Sequence, residues 1–325
     1  MKKAHIILCG LFFTIGLSAQ HRESDNILEK LIWDDKMLSI MIDTRIDLQS
    51  QFTDGSLDNA SFKGQTFRIW LAGEIIPGIR YRVRHRLNKP QEPLLRDNYT
   101  AATDQAWLEF DLGKKWTLTA GKQSVQFGTF EYDYNGADIY QPSMINGDLD
   151  GYATGVNAAY KFAGQKLNLQ VVNSNAPQYA SAEYKNKAFA VSALWQGSLA
   201  GGKVKTRWAV TTLQHEKSKF YNWLTVGTQL NLGKFTTELD YFLGSRDMDY
   251  SSLAGPSVLS FLRDQSASAN FTLNLGQWHP FVKGTWNLRK DKNPGQDAYG
   301  NPGIQAVMEY YPLAGHSSAK DLRFH

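Results

Sequence analysis

Four arginines at every second position are the feature of this sequence that points most directly to chemistry. In the stretch Ile79–Leu87 one face carries Arg80, Arg82, Arg84 and Arg86, and the other carries Ile79, Tyr81, Val83, His85 and Leu87. Successive side chains of a strand point to opposite sides of a sheet, so the four guanidiniums share one face at intervals of about 6.6 Å. Because their repulsion grows several-fold in a dry interior, this face must contact water. A row of forked, permanently charged donors in water predicts a surface that attracts anions.

Length and charge limit the classes of protein that can carry this row. The chain has 325 residues, of which 42% are hydrophobic and 20% charged, enough for one large domain or two small ones. Beyond the N-terminal segment it has no run of about 18 apolar residues, so no helical membrane span is predicted. Its net charge is +4, or +2 without Lys2 and Lys3, which does not favour nucleic acid as a partner.

The N-terminus has the pattern of an export signal over residues 1–19. A basic start at Lys2 and Lys3 precedes the apolar run Ile6–Leu17, and Ala19 before Gln20 gives a peptidase site. The single cysteine, Cys9, lies inside this run behind a leucine, which argues against a lipoprotein. A mature chain without thiols excludes a disulfide scaffold and a cysteine nucleophile. Residues 20–36 are predicted to be a short helical lead-in in the periplasm.

From Met37 the hydrophobic pattern changes to period two and keeps it. Leu38, Ile40, Ile42, Ile46 and Leu48 alternate with polar residues, and similar runs recur as far as Tyr310. A strand that crosses a bilayer needs about 9–11 residues, which these runs supply. Short turns such as Pro77-Gly78 and Gly233-Lys234 alternate with longer polar links such as Thr53–Lys63 and Asn88–Thr103. The sequence therefore predicts an all-β, transmembrane, antiparallel up-and-down β-barrel; a soluble exported sandwich or β-helix explains neither the strand length nor the loop rhythm.

The segment Leu118–Gly128, with Thr129–Asp133 after it, resembles the phosphate-selective porin O and P family, as do the arginine-rich strand and Glu309–Pro312. The N-terminal region is similar to members from Bacteroidetes. The resemblance implies a barrel of the 16-strand porin type in the outer membrane of a Gram-negative bacterium. It also implies a general or anion-preferring channel, usually a homotrimer, with phosphate as one possible solute.

The alternation assigns further charged residues to the lumen. Arginine or lysine on the lipid face at the bilayer midplane costs about 2–4 kcal/mol each, so the arginine row must line the pore. The same rule directs inward the basic residues Arg45, Arg68, Lys205, Arg207, Lys283 and Arg289, and the acids Asp43, Asp47, Glu74, Glu109, Asp111, Glu238 and Asp240. This balance predicts passive diffusion of small hydrophilic solutes with a modest anion preference; the alternative is a salt-bridged wall without selectivity.

The third long link, Gly128–Asp150, is predicted to fold into the lumen as a constriction, as the third external loop does in porins of this layout. Its aromatic and acidic residues include Phe130, Glu131, Tyr132, Asp133, Tyr134, Asp138 and Tyr140. We expect these side chains to pack on the arginine wall and narrow the channel. The acids match no calcium-loop spacing, so a solvated acidic loop is favoured over a metal site.

No catalytic motif accompanies the barrel pattern. The sequence lacks a Gly-x-Ser-x-Gly elbow, a His-Glu-x-x-His pair and a phosphate loop, and its histidines are scattered. We therefore expect no enzyme activity, cofactor or metal, and small solutes and outer-membrane lipid as the partners. Two alternatives stay open: a non-transporting barrel with a receptor or structural role, and an outer-membrane enzyme such as a phospholipase, for which outward-facing His85 has no assignable serine.

The strand count from Met37 is about fifteen, with Lys320–His325 as a short last strand. A single-chain bacterial barrel has an even number of strands, so the closing strand is predicted to be missing. The barrel domain 37–325 is then C-terminally incomplete. We expect Met37–Phe52 to pair poorly with Glu309–His325, or to leave an open seam between them.

Overall fold

A computed structural model describes residues 5–16, 37–91, 97–134, 143, 151–174, 188–216, 218–246, 262–291, 299–316 and 320–325. Fifteen antiparallel strands follow Met37, each paired with its neighbours in chain order. They are β2 (Ser39–Thr53), β3 (Ser56–Ile76), β4 (Ile79–Arg86), β5 (Thr103–Leu112), β6 (Trp116–Ser124), β7 (Tyr152–Phe162), β8 (Gln165–Asn173), β9 (Phe189–Leu199), β10 (Val204–Glu216), β11 (Lys219–Leu232), β12 (Phe235–Arg246), β13 (Leu262–Leu273), β14 (Trp278–Asp291), β15 (Tyr299–Tyr310) and β16 (Leu322–Phe324). An earlier strand, β1 (His5–Gly16), lies next to β2. The predicted all-β meander is confirmed.

The strands are polar inside and apolar outside. Along β2 the side chains of Asp43, Arg45 and Asp47 are buried, whereas Ile42 and Ile46, which have the opposite parity, are almost half exposed. The same inversion recurs at the outward Leu169, Val210 and Trp286. Because apolar side chains on the outer surface are unfavourable in water and favourable in lipid, this pattern is that of a barrel embedded in a membrane. Within the described residues, no helix has the length and apolar character needed to span a bilayer.

Tight turns fix the register at one end of the barrel. Gly78 adopts a φ of 85° after Pro77, and Ala163 and Gly164 both have positive φ, as two-residue hairpin turns require. The expectation of a long polar link at Thr53–Lys63 is wrong. Asp54 and Gly55 form a two-residue turn with φ of 50° and 83°, so β2 and β3 stay paired up to Thr53 and Ser56. An Asp-Gly pair stabilises this turn, and β3 thereby extends to 21 residues.

The seam of the barrel lies between β2 and β16, which do not pair with each other in the described structure. Segment β1 lies between them and runs from the pair His5–Thr53 to the pair Gly16–Asp43 along β2. Its contact with β16 covers only three pairs, and β15 meets β16 only at Tyr310 and Phe324. The predicted count of fifteen strands after Met37 is confirmed, and β2 does not pair with β16; β1 completes the ring between them. Residues 5–16 supply backbone partners to the edge of β2, and an unpaired strand edge in lipid costs several kcal/mol for each orphan backbone group.

The structure describes part of the predicted leader but none of the predicted lead-in. Export-signal residues 5–16 are extended in β1, and their removal stays a prediction. All of the lead-in 20–36 falls outside the described residues, as do Asp138 and Tyr140 of the third link.

Candidate solute pathway

Strand β4 carries the arginine row in register with inward residues on both neighbours. Arg80 stands opposite Glu74 on β3 and Glu109 on β5. Two positions further, Arg82 stands opposite Ala72 and Trp107. Arg84 stands opposite Trp70 and Gln105, and Arg86 stands opposite Arg68. The neighbours of the row are therefore acidic at Arg80, next to the turn, and aromatic or basic from Arg82 to Arg86.

Arg80 is neutralised by two carboxylates. Its Nη2 lies 2.8 Å from Glu109 Oε1 and 2.6 Å from Asp111 Oδ1, and its Nε also donates to Glu109 at 3.0 Å. Bidentate guanidinium–carboxylate pairs are the strongest of the charge-assisted hydrogen bonds. Arg80 is thus committed to the wall near the turn Pro77-Gly78 and contributes little net positive field.

Asp104 is the counter-ion shared by the next arginines. Its Oδ2 lies 2.7 Å from Arg86 Nε and 3.1 Å from Arg84 Nε, and the residue is 1% exposed. The register shifts between the pairs Arg84–Gln105 and His85–Thr103, and this bulge turns Asp104 toward the lumen. Asp104 shares the parity of the outward Ala106 and Leu108, so alternation alone does not reveal it. One carboxylate consequently serves two guanidiniums, with buried Arg68 alongside.

Aromatic rings replace acids around the middle of the row. The guanidinium of Arg82 lies 5.7 Å from the Trp70 ring centre and 5.3 Å from that of Trp107. Arg84 lies 4.8 Å from Trp70 and 4.6 Å from Tyr152. These separations fit cation–π contacts, which hold a guanidinium without cancelling its charge. Neither tryptophan was predicted, although both share the inward parity of the arginines.

A glycine makes room for one of these rings. Gly121 on β6 pairs with Trp107, and it has a φ of 121°. A Cβ at this position would lie 2.3 Å from the Ala106 carbonyl oxygen and 3.1 Å from Trp107 Cβ. The close approach of β5 and β6 behind Trp107 therefore requires glycine.

Buried donors in this region without a hydrogen-bond acceptor among the described residues include Trp70 Nε1, Arg82 Nε and Arg84 Nη2. We refer to Trp70, Arg82 and Arg84 as the orphan donor cluster. Arg82 has no carboxylate within 4 Å in the described part of the chain. A buried donor without an acceptor costs about 1–3 kcal/mol, so the cluster favours an anionic acceptor supplied from the lumen.

The described part of the third link enters the barrel and binds the wall formed by β10–β14. A 3₁₀ turn at Phe130–Tyr132 directs the backbone N–H groups of Phe130 and Glu131 to the Asp240 carboxylate, at 3.3 and 3.1 Å. Glu131 Oε1 accepts from Lys283 Nζ at 2.9 Å and from the Ser143 N–H at 2.7 Å. Two further contacts join the link to the same wall: Asp133 with Arg207, and Tyr134 with Glu238.

An aromatic cluster anchors the link from the other side. Phe127 stacks on Trp223 with centroids 4.5 Å apart, and Tyr132 lies 5.4 Å from Phe127. Tyr221 and Phe242 complete this packed group inside the lumen. The expectation that the loop packs on the arginine wall is wrong for the described residues. The sequence analysis treated inward positions as polar. The inward side chains of Trp223 on β11 and Phe242 on β12 instead form an apolar surface on which the loop packs.

The remaining basic residues are distributed around the barrel. Arg45 pairs with Asp47 at 2.6 Å on β2, and Arg289 pairs with Asp264 at 2.7 Å between β14 and β13. Lys205 lies half-buried on β10, beside the strand that carries the loop contacts. Of the basic residues assigned to the lumen from sequence outside β4, only Arg68 stands beside the β4 row in the described structure.

The sequence comparison adds a family to this geometry. The model of the family described as phosphate-selective porin O and P matches residues 39–238, more than half of the chain. The chain belongs to the phosphate-selective porin O and P family. This porin is thus a protein of the Gram-negative outer membrane, and its membership indicates a channel rather than an enzyme. No protein of curated function matches it in sequence.

Solved structures support the fold of the porin. OmpF of Salmonella typhi in complex with daunomycin is similar with a TM-score of 0.60 and 9% identity, over 86% of this chain and 88% of that one. A loop-deletion mutant of OmpT, an outer membrane protein of Vibrio cholerae, is similar with a TM-score of 0.56 and 8% identity, over 96% and 90% of the two chains. At these identities the likeness concerns the barrel fold alone.

Proposed function

We propose that the porin allows passive diffusion of small hydrophilic solutes and favours anions, phosphate among them, at the orphan donor cluster. The observation that carries this proposal is the set of buried N–H donors at Trp70, Arg82 and Arg84 that have no acceptor among the described residues. An oxyanion brings several acceptor oxygens to one place, so it satisfies donors that the wall leaves unpaired.

The anion preference arises from part of the arginine row. Arg80 is balanced by Glu109 and Asp111, which makes the periplasmic end of the row a salt-bridged wall. Arg82 retains its full charge because its contacts are indole rings. Arg84 and Arg86 share the carboxylate of Asp104 as their near counter-ion, which leaves a local excess of positive charge. The two alternatives predicted from the sequence therefore apply to different ends of β4. The salt-bridged wall is the end at Arg80, and the anion-attracting surface is the part from Arg82 to Arg86.

Reversal potentials across a salt gradient test this proposal. In planar bilayers Arg82→Gln should shift the reversal potential toward that of a cation-preferring channel, because it removes an unbalanced charge from the lumen. The matched control is the double variant Arg80→Gln with Asp111→Asn, which removes an ion pair between β4 and β5 without changing net charge. This control should leave the potential near that of the parent. Equal potentials for the parent and Arg82→Gln would refute the assignment.

We also infer that the porin is a homotrimer. Supporting this, Lys122 on β6 has the parity of the outer face, and its Nζ lies 3.8 Å from Asp97 Oδ2 with both side chains 2% exposed. Thr154 on β7 donates to the same Asp97 carboxylate at 2.7 Å. These polar side chains have outward parity and are covered by a polar link of the same chain, so this part of the wall suits a neighbouring protein surface better than lipid. The mass of the detergent-solubilised porin from light scattering tests the stoichiometry, and a monomeric mass would exclude it.

A further inference from the structure

A polar cavity lies beneath the anchored loop, on the wall opposite the arginine strand. Its volume is about 300 Å³, and it is lined by residues of β11–β15 together with Glu131 and Tyr134 of the loop. Inward residues on four successive strands stand side by side, and we call them the polar belt: Glu238, Asn270, Lys283 and Gln305. The cavity therefore has an ordered floor of charged and amide groups.

Negative charge predominates in this cavity. Glu131, Glu238 and Asp240 line it, whereas Lys283 is the one lysine or arginine among its described lining residues. Lys283 is already bound to Glu131. Glu238 accepts hydrogen bonds only from neutral groups, including Gln229 Nε2 at 2.6 Å and Asn270 Nδ2 at 3.4 Å. Its charge is thus held in place without a cationic partner in the described structure.

An unpaired acceptor adds independent support. Glu131 is 3% exposed and lines the cavity, and its Oε2 has no hydrogen-bond partner among the described residues. A buried carboxylate oxygen without a donor is costly, so the site favours a ligand that brings N–H groups. In the part of the chain that the structure describes, no three His, Cys, Asp or Glu side chains converge tightly enough for a metal ion. The ligand chemistry is therefore that of a larger, hydrogen-bonding cation.

The two polar walls face each other at the same depth. Strands β4 and β12 lie half a circuit apart in the ring. Arg82 and Glu238 are each four residues from the periplasmic turn of their hairpin, at Gly78 and Lys234. A solute at this level passes between unbalanced positive charge on one side and unbalanced negative charge on the other.

We propose that this cavity is a subsite for the ammonium group of zwitterionic solutes, so that amino acids and related molecules pass more readily than uncharged molecules of the same size. An ammonium group offers three donors to Glu131 and Glu238, while the carboxylate of the same solute is attracted to the orphan donor cluster. The inference rests on the proposed function only in that solutes cross this lumen and that the opposite wall attracts anionic groups.

Swelling of proteoliposomes in two isomers tests the subsite. β-Alanine and lactamide have the same atoms, but only β-alanine is a zwitterion, so the ratio of their swelling rates cancels changes in pore size. In the parent this ratio should exceed one, and Glu238→Gln should lower it about twofold or more, the range of an accessible ionic contact. Glu74→Gln on β3 is the matched control: it removes the same charge outside the cavity and should leave the ratio unchanged.

A second variant keeps the test decisive if Glu238→Gln fails to assemble. Asn270→Lys places a cation beside Glu238 without removing it and should lower the ratio in the same way. A parental ratio in the assembled variants would overturn the subsite, even if Arg82→Gln shifts the reversal potential as expected. Conversely, an unshifted potential with a reduced ratio would overturn the arginine assignment and leave the cavity in place.

Discussion

The rings of Phe127 and Trp223 stack with their centroids 4.5 Å apart, and this contact joins the inserted loop to strand β11. Around it, Tyr132 and Phe242 close a small apolar core inside an otherwise polar lumen. Because apolar packing is combined with ion pairs to Lys283 and Arg207, the loop is fixed on one wall and leaves the arginine wall open to solutes.

We expect Phe127→Ala to release the loop from the wall formed by β10–β14. Removing a buried phenylalanine from a packed cluster costs about 3–5 kcal/mol, which is enough to shift the loop from its anchored position. We expect altered single-channel conductance and larger current fluctuations in planar bilayers. The outward Phe271→Ala removes the same ring from the lipid face and should leave the conductance as in the parent. Identical current traces for Phe127→Ala and the parent would show that the loop is held by its polar contacts alone.

Asp104→Asn should strengthen the anion preference. The change removes the counter-ion shared by Arg84 and Arg86 and leaves their charges unbalanced. Reversal potentials should move in the direction opposite to that of Arg82→Gln. The loss of a partner from a buried ion pair also destabilises the barrel, by about 3–5 kcal/mol for a fully buried pair. The melting temperature of the refolded variant reports this cost, and a more cation-selective Asp104→Asn would contradict the proposed charge balance.

Gly121→Val should prevent correct assembly of the β5–β6 hairpin. Its Cβ would meet the Ala106 carbonyl oxygen at 2.3 Å, and a β-branched residue does not tolerate a φ of 121°. Heat-modifiable migration in gels measures assembly and should be lost. Gly284→Ala on β14 is the control, since no atom lies within 4 Å of the added Cβ. Normal migration of Gly121→Val would show that the barrel assembles even when β5 and β6 lie further apart.

The mature porin should begin at Gln20, as the export pattern of residues 1–19 predicts. Intact-mass measurement of protein extracted from outer membranes distinguishes the possibilities. A mass that includes residues 1–19 would instead make β1 a resident strand of the barrel, paired with β2 as in the structure. The same measurement therefore shows whether β2 is paired with β1 in the membrane or lacks this partner.

Period-two alternation follows from backbone geometry alone, and it assigns Arg80, Arg82, Arg84 and Arg86 to one face of β4. It failed at Asp104, where a bulge reverses the parity of one residue and brings in the counter-ion that controls the row. A bulge depends on how two strands fit together, and a pattern within one strand does not record it.

The loop illustrates a second limit of the sequence. Its order along the chain and its content of aromatics predicted insertion, and the contacts of Phe130 and Glu131 with Asp240 agree with that position. The choice of wall depended on Trp223 and Phe242, which lie about a hundred residues further along and have inward parity. Long-range packing of this kind follows from the three-dimensional positions of residues, so the short-range pattern could not reveal it.

The long hairpin of β2 and β3 extends well beyond the membrane. Strand β3 has 21 residues, or about 70 Å at 3.3 Å per residue, whereas the hydrocarbon layer is about 30 Å thick. Its outer half, from the tip at Asp54-Gly55 to Gln65, is exposed and remains paired with β2. A phage or an antibody that approaches the cell would meet this ribbon, and the 78% exposed ring of Phe62 on it, before it reached the mouth of the pore.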